Sequence, residues 1–185
     1  MGLIKRPLIA TYAVLIIWFI VREHVPDREE LKNDNREIGV VVGIVTGAWL
    51  LVAGAAGARA WAHRSDTNRI VNDAWALLHH PAAVPGASET LWNQFRVFRG
   101  RRLSAAIYVV LTSFYLLILL LLFFLYFANT AAGAVSVGAT AFVLAVAIEF
   151  IRDVDEPSEG AFRINPLPPE WQKRLHNENR ESRPR

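Results

Sequence analysis

Residues 105–128 read AAIYVVLTSFYLLILLLLFFLYFA and contain no charge. A helix rises 1.5 Å per residue, so about 20 apolar residues cross a hydrocarbon core of about 30 Å. This stretch is long enough, and it decides the fold class. Working outward, residues 38–58 (IGVVVGIVTGAWLLVAGAAGA) and 131–151 (AAGAVSVGATAFVLAVAIEFI) meet the same requirement, the latter with a single acid near its end. The first block is shorter, being free of charge only from Pro7 to Val21. Leu3 and Ile4 extend it if Lys5 and Arg6 lift their charged ends to the headgroups. The sequence therefore predicts an all-α integral membrane protein with spans at about 4–21, 38–59, 105–128 and 131–151. Its membrane domain covers residues 1–151 and a flexible polar tail covers 152–185.

Composition agrees. Apolar residues make up 53% of the 185 positions, yet they fall in four blocks with most charged residues between them, whereas a soluble domain spreads them periodically. The chain has no cysteine, which excludes disulfides, iron–sulfur clusters and thiolate zinc sites. After the first block the chain continues Val21-Arg22-Glu23-His24-Val25-Pro26, with no small-x-small cleavage site, so that block reads as a retained signal anchor.

Orientation follows from the cations between spans. The N-terminal stub carries two, residues 59–104 carry seven, the tail carries seven, and the 22–37 loop carries four. Both ends in the cytoplasm puts sixteen cations inside against four outside, and the expected location is the cytoplasmic (inner) membrane of a bacterium or phage-infected cell. Trp18 and Tyr126 then fall near the outer interface, Trp61 and Tyr108 near the inner one. Trp49 lies mid-span, where it is expected to pack against another helix.

Small residues govern how such spans associate, because lipid offers no hydrophobic drive between helices. Gly39, Gly43 and Gly47 recur every four residues, followed by Gly54 and Ala58; the fourth span has Ala134 with Gly138. Spans two and four are thus expected to form the tight centre, and the Leu- and Phe-rich third span to face lipid. The same glycine face is a candidate seam for a homo-oligomer.

Between spans two and three, the loop 61–104 is expected to fold into short amphipathic cytoplasmic helices. Ser65-Asp66-Thr67-Asn68 offers N-caps for one helix that carries Trp75 and ends before Pro81. A second begins at Ser88 with Trp92 and Phe95 on one face and Arg96, Arg99, Arg101 and Arg102 flanking it. Aromatics below and arginines above suit the headgroup layer of an anionic membrane, or a docking platform for a soluble protein. Beside a span, lipid headgroups are the nearer polyanion, so nucleic acid is not an expected partner. In the tail, Asn165-Pro166-Leu167-Pro168-Pro169 is extended, Glu170 to Asn179 reads as a polar helix, and Trp171 suits a partner pocket or the membrane surface. In the outer loop, Asp27 and Glu30 after Pro26 resemble a capping box for a short exposed helix.

Chemistry is sparse. Arg59 and Glu149 sit near the inner ends of their spans and form a candidate intramembrane ion pair, with Arg152 as an alternative partner for the acid. None of His24, His63, His79, His80 and His176 lies within a span, which argues against a haem, and His79-His80 read as a helix terminus rather than a metal site. HExxH, P-loop, GxGxxG and GxSxG motifs are all missing, so no cofactor and no catalytic site is expected. The expected function is a membrane anchor or effector acting through a cytoplasmic protein partner. In size, four-span plan and cytoplasmic ends the chain is also similar, in outline, to phage holins and to the small ion-channel effectors by which prophages exclude other phages. That likeness implies an oligomeric, membrane-depolarising pore as the alternative.

Overall fold

The computed structural model describes residues 2–24, 28–79, 86–99, 103–125, 127, 129–156 and 166–181. They form six helices: α1 (Gly2–His24), α2 (Arg28–His79), α3 (Ala87–Arg99), α4 (Ala105–Phe124), α5 (Thr130–Asp155) and α6 (Pro169–Glu181). No strand occurs among the described residues. Four helices, α1, α2, α4 and α5, are long and apolar enough to cross a membrane. Their outward surface fits that medium. Ile9, Tyr12, Ile44, Leu51, Val109, Leu116, Val135 and Val143 are all more than half exposed, a surface that water disfavours and lipid accepts.

α2 departs most from expectation. It runs unbroken for 52 residues, about 78 Å at the helical rise, instead of ending near residue 59 and restarting after Thr67. Ser65 and Thr67 do not cap anything. The Thr67 hydroxyl donates to the His63 carbonyl one turn back, at 2.8 Å, a bond that satisfies the side chain inside a continuing helix. Neither glycine nor proline occurs from Ala58 to His79, so nothing in the sequence stops the helix. The candidate capping box before α2 involves Asp27, outside the described residues, and α2 has already begun at Arg28.

Packing among the spans also differs from the expected plan. α2 does pack on α5, a β-carbon on Gly57 standing 3.7 Å from Ile151, but the α5 glycines receive α1. A β-carbon built on Gly133 would stand 2.8 Å from the Trp18 ring and 2.9 Å from Phe127, and one on Gly138 would stand 3.3 Å from Leu15. The α2 glycines Gly39, Gly43, Gly47 and Gly54 have nothing within 4 Å of that position. α4 is not a lipid-facing outlier either. Leu111, Tyr115, Ile118, Leu119 and Leu122 repeat at helical spacing and are buried, and only its opposite face, with Leu116 and Leu120, is exposed. Trp49 packs between helices as expected, its indole N–H donating to the Leu111 carbonyl at 3.1 Å.

Described residues outside the spans are folded as well. The last third of α2, with α3 and α6, surrounds a second core of Ile70, Val71, Ala74, Trp92, Phe95 and Trp171. This lobe, the start of α1 and the start of α4 lie at the same end of the bundle. Arg6 stands 3.8 Å from Glu149 near the end of α5, and Asp155 at that end holds Leu103 just before α4. At the far end Arg22 donates to the Phe127 carbonyl at 3.5 Å.

Candidate functional site

The lobe is where polar and aromatic side chains converge. α3 begins after Gly86, whose positive φ of 90° turns the chain and whose carbonyl accepts from the Thr90 amide at 3.0 Å. From there the helical period sets Leu91, Trp92, Phe95 and Phe98 against α2. Trp92 and Phe95 stack at 5.9 Å between centroids. The Trp171 indole of α6 closes the cluster, edge-on to Trp92 at 5.4 Å and tilted against Phe95 at 5.2 Å. All three rings are under 5% exposed.

Around this core α6 has few attachments. The Trp75 indole N–H donates to the Pro166 carbonyl at 2.7 Å. Arg174 donates to Glu89 at 2.7 Å, and its guanidinium lies 5.6 Å from the centre of the Trp92 ring. Gln172 folds back to the Leu167 carbonyl at 2.8 Å. Burying one large aromatic side chain contributes about 2–3 kcal/mol. An exposed ion pair such as Arg174–Glu89 adds about 0.2–1 kcal/mol. Trp171 therefore dominates the seating of α6, a 13-residue helix too short to be stable alone in water.

At the junction of lobe and bundle sits a clasp that sequence reasoning missed. Asp155, 5% exposed, accepts the Leu103 amide with both oxygens, at 3.0 and 3.2 Å, and the Tyr108 hydroxyl at 3.1 Å. It joins the end of α5 to the entry of α4. Its position among Arg152, Asp153 and Glu156 made it look like one more solvated tail charge, and only the return of α4 beside α5 identifies it. Nearby His63 stacks on Phe98 at 6.3 Å. Burial lowers the pKa of Arg64, in the lobe part of α2, and the Asp153 carboxylate pulls it back up. An arginine stays charged through such shifts.

The residues singled out from sequence now have places. Of the four rings expected at a membrane or partner surface, Trp92, Phe95 and Trp171 are lobe core and Trp75 packs half-buried against them, because α6 folds back to cover α3. Arg96 is exposed beside them, Arg99 closes α3, and Arg101 and Arg102 lie outside the described residues. Glu149 meets Arg6 rather than Arg59, which is exposed, because α1 and not α2 runs along that side of α5. Gly138 packs within the chain, and Gly39, Gly43, Gly47 and Gly54 do not. Gly54 borders a groove of about 570 Å³ between α2 and α5, walled by Trp49, Gly57, Phe142, Val146 and Phe150. Among the described residues no three of His, Asp and Glu gather as a metal site would require.

Compared with protein families, with curated proteins and with solved structures, the chain matches none.

Proposed function

We propose that this chain is a multi-pass anchor of the cytoplasmic membrane, with both ends in the cytoplasm, whose cytoplasmic lobe binds a protein partner and has no catalytic site of its own. One observation carries the reading: the last third of α2, α3 and α6 form a compact lobe at the end of the bundle where α1 starts and α5 ends. By sequence segment, sixteen of the twenty lysines and arginines fall on the side that the reading makes cytoplasmic, which supports it. Anionic headgroups are the expected surroundings of Lys5, Arg6, Arg59 and Arg152 there. A reporter that fluoresces only in the cytoplasm, fused after Arg185, should be bright, and one inserted between residues 25 and 27 should be dark. The reverse pattern removes the lobe from the cytoplasm and ends the proposal. Partner binding is tested by pull-down in mild detergent, comparing the full chain with one ending after Glu156, which keeps the last turn of α5.

The open glycines of α2 favour a second reading, a small oligomeric pore of the holin or phage-exclusion type. Gly39, Gly43 and Gly47 offer a second copy a close helix approach that the monomer leaves unused. Induced expression with a potential-sensitive dye separates the readings: a pore collapses the membrane potential without any partner, an anchor leaves it intact.

A further inference from the structure

α2 and α3 meet along their apolar sides, whereas α6 and the residues just before it reach them through Trp171, Leu175, Leu167, the buried Pro168, the Trp75–Pro166 hydrogen bond and the Arg174–Glu89 pair. The last of these is at the surface, and Lys173, His176 and Asn177 are exposed. Beneath α6 lies a trough floored by Val71, Ala74, Trp92 and Phe95. The Trp75 N–H donates at one side of it and the Glu89 carboxylate accepts at another. Next to the Trp171 ring a cavity of about 200 Å³, bordered by Ala74, Leu77, Leu78 and Ser88, is not filled by α6.

From this arrangement we propose that the trough between α2 and α3 is a docking site for an amphipathic helix of a protein partner, and that α6 occupies it in cis until the partner displaces it. The proposal rests on the anchor reading above. The chemistry of the partner helix is written in α6: a tryptophan, an arginine or lysine three residues on, and a leucine four residues on, as Trp171, Arg174 and Leu175 stand. Glu89 selects a cation at the second of these positions and repels an acid there. The unfilled cavity gives a bulkier apolar neighbour of the tryptophan an advantage that α6 does not have. α6 belongs to the same chain and begins at Pro169, soon after α5 ends at Asp155, and such a covalent link holds it at an effective concentration on the order of millimolar. A partner therefore needs either the tighter helix or a place in the same membrane.

The native chain has no cysteine, so the double variant Glu89→Cys, Arg174→Cys supplies its only thiols and can be joined by a short bismaleimide. The probe is a fluorescein-labelled peptide of residues 166–181, added to the full chain in lipid nanodiscs and followed by anisotropy. The Trp171→Ala chain, whose own α6 has lost its anchor, should bind the peptide at least tenfold more tightly than the native chain. A peptide carrying the same substitution should not bind, and the cross-linked chain should bind at least tenfold more weakly than its uncross-linked form. Equal binding to joined and unjoined chains, or no binding to the Trp171→Ala chain, overturns the proposal. A cross-linked dimer in place of a cross-linked monomer also overturns it, by giving the trough to a second copy. Hydrogen exchange on the native chain supplies a measurement that needs no variant to fold. Amides of 172–180 should exchange at least tenfold faster than those of 91–98, and equal rates mean that α6 leaves only when the lobe unfolds. These outcomes do not touch the reporter test, so the docking site can fail while the membrane anchor stands.

Discussion

The bundle and the lobe are built from one chain by opposite rules. In the bundle, large apolar side chains cover the outside as well as fill the interior, where small residues let some of them in, as where Gly133 accepts the Trp18 ring. In the lobe, aromatic rings point inward and charges cover the outside, as in any water-soluble core. α2 belongs to both. Its first half turns apolar side chains outward and its last third turns them inward, without a break in the helix. Solvent, rather than secondary structure, divides this molecule in two.

That division can be broken most forcefully at the lobe core. Trp92→Ala removes the ring shared by Phe95, Trp171 and Arg174 and should cost about 3–5 kcal/mol of lobe stability. Limited proteolysis should then cut residues 86–99 and 166–181 while leaving the spans intact. Cleavage spreading equally into the spans would show that lobe and bundle are not separate units. Next comes Gly133→Ala, which forces Trp18 and Phe127 to move and should cost about 1–3 kcal/mol, read as a lower midpoint of bundle unfolding in detergent.

A smaller effect, about 1–2 kcal/mol, is expected from Asp155→Ala, which leaves the Leu103 amide without its acceptor. Hydrogen exchange should rise at residues 103–108, and the change should stay near the junction if the clasp joins two independent parts. Glu89→Ala should cost under about 1 kcal/mol, because its pair with Arg174 is half-exposed on both sides. Smallest of all, Gly43→Ala should leave the monomer within about 0.5 kcal/mol of the native chain, since nothing stands near its missing side chain. A large loss at Gly43, seen only where copies are concentrated, would sharpen the case for an oligomer.

Much of this was legible in the residues. Span length and charge carry their own physical signal, and α1, α4 and α5 fall where apolar length puts them, within a few residues. α3 and α6 were readable from amphipathic period and turn residues, starting within one residue of Ser88 and Glu170. Partnering was not readable. Glycine at every fourth position says that a helix can be approached closely, not which helix comes, and here the α5 glycines were taken by α1 while the α2 face stayed open. Ser65 and Thr67 were misleading for a related reason, since their side chains serve a helix start or a helix interior equally well. Trp171 looked like a surface hook because sequence gave no hint that the tail returns to cover α3.

The unbroken α2 has a mechanical consequence. With neither glycine nor proline from Ala58 to His79, it is a stiff rod over that stretch, and in the membrane placement proposed above it pivots where it leaves the bilayer. Position 72 is about 36 Å along the axis from position 48 near mid-span, so a tilt of about 10° swings it sideways by about 6 Å. Membrane thickness sets the tilt of long spans. A thicker or thinner bilayer would therefore steer the lobe as a pointer is steered by its dial.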